Sequence, residues 1–167
     1  SVALKVIRRA RYVDEHTLKL FRRVTELLGR LDHPGIAKIY EAGRTEDGEP
    51  FFAMELARGQ TLAHWAEIGA GARLDREAIE QRLLVYVRIC EAVGFAHRRG
   101  VIHRDLKPAN VIVGEPDETT GLPVVKVLDF GLARLAENDD PDATAMTQEG
   151  QTRGTLAYMS PEQMQGR

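Results

Sequence analysis

The chain has 167 residues, 43% of them apolar and 29% charged, which is enough for roughly one folded unit with its own core. A formal charge of -2 and the lack of a long basic run argue against nucleic acid or any other polyanion as the main partner. Cys90 is the one cysteine, which excludes an internal disulfide and a thiolate zinc cluster and suits a reducing cytosol; its apolar neighbours predict a core position. No stretch approaches the ~20 apolar residues of a membrane span, and no charged-then-apolar signal pattern opens the chain.

In chain order, Ser1-Val2-Ala3-Leu4-Lys5-Val6-Ile7 reads as a strand already under way, with no initiating Met, so the chain is expected to continue upstream. Phe21, Val24, Leu28 and Leu31, at three- and four-residue spacing, predict an amphipathic helix over 15–31 that His33-Pro34-Gly35 ends. Residues 36–43 and 50–56 predict two strands around a turn-rich 44–49, hence a hairpin. A short helix is expected over 61–67 and a loop at Gly69-Ala70-Gly71. Asp75 is an acceptable N-cap for a long helix that carries Ile79, Leu83, Leu84, Val87, Cys90 and Val93 inward and stops at Gly100. Short strands at 111–113 and 124–128 bracket a surface hairpin rich in Pro, Gly, Asp and Thr. Residues 134–153 are acidic, then threonine-rich and weakly patterned, and the last residues read as a helix just beginning.

Chemistry concentrates in two places. His103-Arg104-Asp105-Leu106-Lys107-Pro108-Ala109-Asn110 falls between the long helix and a short strand, a loop held by rigid flanks. Asp105 can accept the proton of an attacking hydroxyl, while Asn110, five residues on, can turn back to ligate a cation. Asp129-Phe130-Gly131 follows a buried strand, which places a second carboxylate at a strand end where it could hold a cation against phosphate oxygens; Gly131 permits a sharp turn.

These two motifs, with Val2-Ala3-Leu4-Lys5 ahead of them and Gly154-Thr155 through Ser160-Pro161-Glu162 behind, resemble the signature set of bacterial serine/threonine protein kinases over essentially the whole chain. The resemblance implies a two-lobed α+β kinase fold truncated at both ends, with residues 1–56 from the N-lobe and 57–167 from the C-lobe. It implies Mg-ATP as cofactor and Ser/Thr hydroxyls of proteins as substrate. Carried over position by position, Lys5 would pair with the α and β phosphates, Asp105 would be the catalytic base, and Asn110 and Asp129 would hold Mg2+. Lys107 resembles the lysine that serine/threonine kinases direct at the γ-phosphate. Met54 would be the gatekeeper and the backbone of Glu55 to Ala57 would meet adenine, with Ala3 above the ring and Ile112 below, although plain core packing serves these positions nearly as well. Thr155 resembles the threonine that contacts the base and the lysine, and Glu162 the acid that pairs with a later arginine. Arg104 beside the base suits a phosphate on the activation segment, with Thr147 first among the candidate acceptors, then Thr152 and Thr144. A homodimer could phosphorylate them in trans. Relatives imply a cytoplasmic location, in many cases as the cytoplasmic part of a membrane-anchored kinase.

One position departs from the pattern. Family spacing puts Val24 where active kinases carry the glutamate that holds the strand lysine, and Glu26 lies roughly 200° around the helix from that stripe. This gives a rival reading, a pseudokinase that binds nucleotide or partners without turnover, against which the intact Lys5, Asp105, Asn110 and Asp129 stand. A small-molecule phosphotransferase is disfavoured by Lys107 and the 155–162 segment. The glycine-rich loop and the later helices are expected outside the chain, so the segment alone is expected to be inactive.

Overall fold

Alternation along residues 50–55 sets up the first sheet: Pro50, Phe52 and Met54 are buried while Phe51, Ala53 and Glu55 are half-buried, as a strand with one face on a core requires. The computed structural model describes residues 1–6, 25–68, 75–130 and 157–165. Strand β1 (Val2–Val6) and strand β2 (Ile39–Arg44) flank β3 (Pro50–Glu55), both antiparallel to it, in the order β1-β3-β2. The expected hairpin is β2–β3, closed by Thr45, whose Oγ1 accepts from Glu49 N at 3.1 Å. Residues 25–29 belong to helix α1, which sends Leu28 into the core with Leu31 just beyond it; residues 15–24 of the expected helix, Phe21 included, lie outside the described residues.

The second sheet runs β4 (Gln60–Thr61), β5 (Val111–Pro116) and β6 (Pro123–Val127), again antiparallel. Helix α2 (Leu62–Ile68) follows β4, and the long helix α3 (Arg76–Arg98) lies against β6. Both ends of α3 follow from local chemistry. Asp75 caps it, Oδ1 accepting from Ala78 N at 2.8 Å. At the other end Gly100 adopts φ 76°, its N–H donates to His97 O at 2.9 Å, and Val101 N donates to Ala96 O at 3.0 Å, a Schellman motif that needs a left-handed residue at that position.

The inward stripe of α3 differs from the expected one. Val85, Ala92 and Ala96 are buried and Ile89 packs with them, a four-three-four spacing, whereas Ile79, Leu83 and Val87 are 45%, 57% and 49% exposed. Leu84 and Val93 are half-buried. Cys90, expected in the core, is exposed as well. Within the described residues, the face of α3 that meets the sheets carries its small side chains, which permit close approach: a Cβ placed on Gly35 would lie 3.1 Å from Ala92 Cβ.

Two clusters fill the interior. Leu28, Leu31, Ile36, Phe52, Met54, Ala92, Ala96, Val101, Val127 and Phe130 form one that spans both sheets; Val85, Val111, Val113 and Val125, with Leu62 and Trp65, form the other behind the second sheet. The sheets are also stitched through the backbone: Ala37 N donates to Val127 O at 3.0 Å and Val127 N to Gly35 O at 2.8 Å, making a parallel bridge between Ile36 and Val127. The mixture of antiparallel sheets and helices is the α+β class expected. Among the described residues no helix is long and apolar enough to cross a membrane.

Candidate active site

The Schellman turn ends α3 and releases the chain at Val101, which is buried, so that the following loop is anchored from its first residue. His103 anchors it again. Its Nδ1 accepts from Asp105 N at 3.3 Å, which leaves the proton on Nε2 to donate to Leu128 O at 2.7 Å, and its ring packs on Phe130 at 4.6 Å between centroids. Burial holds the imidazole below its usual 6.5, so it is neutral, the form with one donor and one acceptor that this pair of bonds requires. His103 is thus a strut between the loop and the segment carrying Asp129.

Pro108 starts a 3-10 turn (Pro108–Asn110) with Lys107 as its N-cap residue, and the turn swings Asn110 back beneath Asp105. Asn110 is buried. Its amide nitrogen donates to Asp105 O at 2.8 Å and to Asp105 Oδ2 at 3.1 Å. Two acceptors at one atom identify it as the nitrogen, so Oδ1 is the amide atom left to accept or ligate. Lys107 Nζ reaches the same carboxylate oxygen, Oδ2, at 2.8 Å. Both partners therefore fall on Oδ2, and among the described residues Asp105 Oδ1 carries neither of them. Leu128 N donates to Asn110 O at 2.8 Å, which fixes the residue before Asp129 to the residue that ends the loop.

Asp129 stands beyond β6, and its carboxylate meets Lys5 Nζ of β1 at 2.6 Å, with the two side chains 21% and 42% exposed. Asp129 (φ 63°) and Arg104 (φ 68°) are the two non-glycine residues with positive φ among those described. Each costs of order 1 kcal/mol or more to hold, and both sit at the candidate site, one bearing a carboxylate and the other next to one.

Met54 is buried opposite Ala3 across β1–β3, at one side of a cavity of about 10 Å³ that Leu28, Leu31, Ile36 and Phe130 also line, room for about one water. The N–H of Glu55 donates to Lys38 O at 2.8 Å, so a backbone donor from the 55–57 stretch has to come from Leu56 or from the half-buried Ala57. Ile112, half-buried, belongs to the other sheet and is paired with Thr61 and Lys126. Glu162 lies exposed in the first turn of a short helix, α4 (Pro161–Met164); its own backbone N–H first, and Ser160 second, hold its carboxyl below the usual range. Val24, Gly131, Thr144, Thr147, Thr152 and Thr155 lie outside the described residues.

Two contacts were not anticipated from sequence. The Glu55 carboxylate, considered only for its backbone, binds Lys126 Nζ at 2.7 and 2.8 Å and accepts from Lys38 N at 3.2 Å. Gln163, not singled out at all, donates from Nε2 to Arg104 O at 2.6 Å. A capping-box pattern, Ser160 followed three residues later by Gln163, was the available signal for the second. Nothing local signals the first.

The protein kinase domain family matches residues 1–167, and the chain belongs to it. The serine/threonine-protein kinase pkn3 of Myxococcus xanthus is 41% identical over 172 residues, covering 99% of this chain and 29% of that protein. A probable serine/threonine-protein kinase PknB of Bifidobacterium longum is 36% identical over 174 residues, 99% of this chain and 23% of that one. Among solved structures, the PknI kinase domain of Mycobacterium tuberculosis aligns with a TM-score of 0.60 and 30% identity over 86% of this chain and 58% of that chain. The chain thus spans less than a third of these two curated relatives. Protein kinases as a family use ATP and a divalent metal.

Proposed function

We propose that this chain is the central part of a serine/threonine protein kinase that transfers the γ-phosphate of Mg-ATP to Ser or Thr hydroxyls of proteins. The observation that carries the reading is the state of Asp105: Asn110 and Lys107 both hold Oδ2, which leaves Oδ1 for the proton of an incoming hydroxyl. As the hydroxyl oxygen bonds to the γ-phosphorus, the bond from that phosphorus to the β-phosphate oxygen breaks, ADP departs, and Asp105 Oδ1 takes the proton. Lys107, within reach of the same carboxylate, suits the γ-phosphate, and Lys5 suits the α and β phosphates once a nucleotide competes for the ammonium that Asp129 now holds.

Asn110 Oδ1 and the Asp129 carboxylate are oxygen donors on two segments tied together by the Leu128 N to Asn110 O bond, a donor set suited to a hard cation such as Mg2+. Bound there, the cation supplies charge neutralisation at the phosphates. Adenine would lie between Ala3 and Ile112 beside Met54, against the Glu55–Ala57 backbone. We place the lobe boundary at 56/57, a division supported by the first sheet ending at Glu55 and the second beginning at Gln60. Thr155 and Glu162 would order the substrate side. Exposed Arg104 would receive a phosphate on Thr147, Thr152 or Thr144, placed by a second copy of the kinase in the cytoplasm.

Magnesium- and ATP-dependent labelling of a generic Ser/Thr substrate by the full-length protein tests the reading. Labelling is expected, with loss by at least two orders of magnitude in Asp105→Asn. Nucleotide binding without labelling would overturn it in favour of a non-catalytic role.

A further inference from the structure

The left-handed conformation of Arg104 sits one residue before the proposed base, and a non-glycine residue keeps such a conformation only where surrounding contacts over-determine it. One of those contacts comes from 59 residues away, where Gln163 Nε2 donates to Arg104 O at 2.6 Å. Gln163 is itself locked. Its Oε1 accepts from Ser160 N at 3.1 Å while its own N–H donates to Ser160 Oγ at 3.2 Å, the two halves of a capping box at the start of α4. One amide therefore does two separable things. Its oxygen closes the helix cap, and that closure aims its nitrogen at the peptide that precedes Asp105.

We infer that Gln163 is a positioning residue for phosphoryl transfer, fixing the Arg104–Asp105 peptide and so the direction of the Asp105 carboxylate, and that it couples the order of the 157–165 segment to the aim of the base. The inference rests on the proposed kinase activity. Asn110 and Lys107 hold Oδ2 and Gln163 holds the carbonyl of the preceding peptide, so a rotation of that peptide would swing Oδ1 away from an incoming hydroxyl. Gln163 touches neither nucleotide nor substrate in this scheme; it acts through Arg104.

Gln163→Glu separates its two functions. Glutamate has the same length and is an ordinary third-position partner in a capping box, so the bond from Ser160 N survives, while the atom facing Arg104 O becomes an acceptor and the bond is lost. In the full-length protein the expected result is a five- to tenfold fall in kcat, KM for ATP within about twofold of wild type, a slightly lowered Tm, and faster amide exchange over 103–106 but not over 161–164. Gln163→Ala, which removes both bonds, is expected to lose kcat equally and to lower Tm further. Wild-type kcat and wild-type exchange in Gln163→Glu, or a loss confined to Gln163→Ala, would overturn the inference by assigning Gln163 to the cap alone. If the wild-type protein labels nothing, the kinase reading falls, and the exchange comparison still decides whether Gln163 holds the loop.

Discussion

Lys126→Met removes the ammonium that spans both carboxylate oxygens of Glu55, 71 residues away, at the point where the first sheet gives way to the second. Contacts of 2.7 and 2.8 Å between side chains only 18% and 27% exposed place the pair between the surface and the interior. At an effective dielectric of about 20 the Coulomb attraction at such separations is about 6 kcal/mol. Desolvation of the two ions opposes most of it. The net coupling is expected at about 1.5 kcal/mol, above the 0–1 of exposed pairs. Glu55 keeps its bond from Lys38 N, so the orphaned carboxylate is only partly uncompensated and Lys126→Met should cost about 2 kcal/mol. Urea unfolding of wild type, Lys126→Met, Glu55→Gln and the double variant measures the coupling directly, and 1 M salt should reduce it only partly because the pair is half-buried. A coupling below about 0.3 kcal/mol, the scatter of independent sites, would show that the pair does not brace the two sheets.

Two further tests follow from particular positions. Burial is the leading cause that holds His103 and His33 below 6.5 in the folded state, so below that pH the unfolded chain binds more protons than the folded one; their stabilising contribution is complete above 6.5 and lost as pH falls through the depressed folded values. Stability should therefore fall on acidification from pH 7 toward 5, and His103→Gln should flatten that slope in urea titrations at several pH values. Gly59 has φ 136°, and a Cβ there would lie 2.3 Å from Val113 O, so Gly59→Ala should prise β4 from β5 at a cost of about 3 kcal/mol or more, read as a lowered urea midpoint; a wild-type midpoint would refute the close approach.

What the sequence by itself determined was local or motif-borne. Two hairpins, the Asp75 cap, the Gly100 stop and the loop from His103 to Asn110 depend on interactions spanning a few residues, and turn chemistry and periodicity encode those directly. Asp105 and Asn110 were singled out by a spacing that suits one chemistry, and the loop does bring the Asn110 amide back to Asp105. Tertiary structure alone decided which face of α3 meets the two sheets: Ala92 and Ala96 lie in the cluster that spans them, with Ala92 small enough to sit close to Gly35. It also decided the long-range polar pairs: Lys5 with Asp129, Glu55 with Lys126, and Gln163 with Arg104. Each joins segments tens of residues apart, so no local propensity distinguishes the residues that meet from similar residues that face water; only the packing of the two sheets and α3 brings them within hydrogen-bond reach.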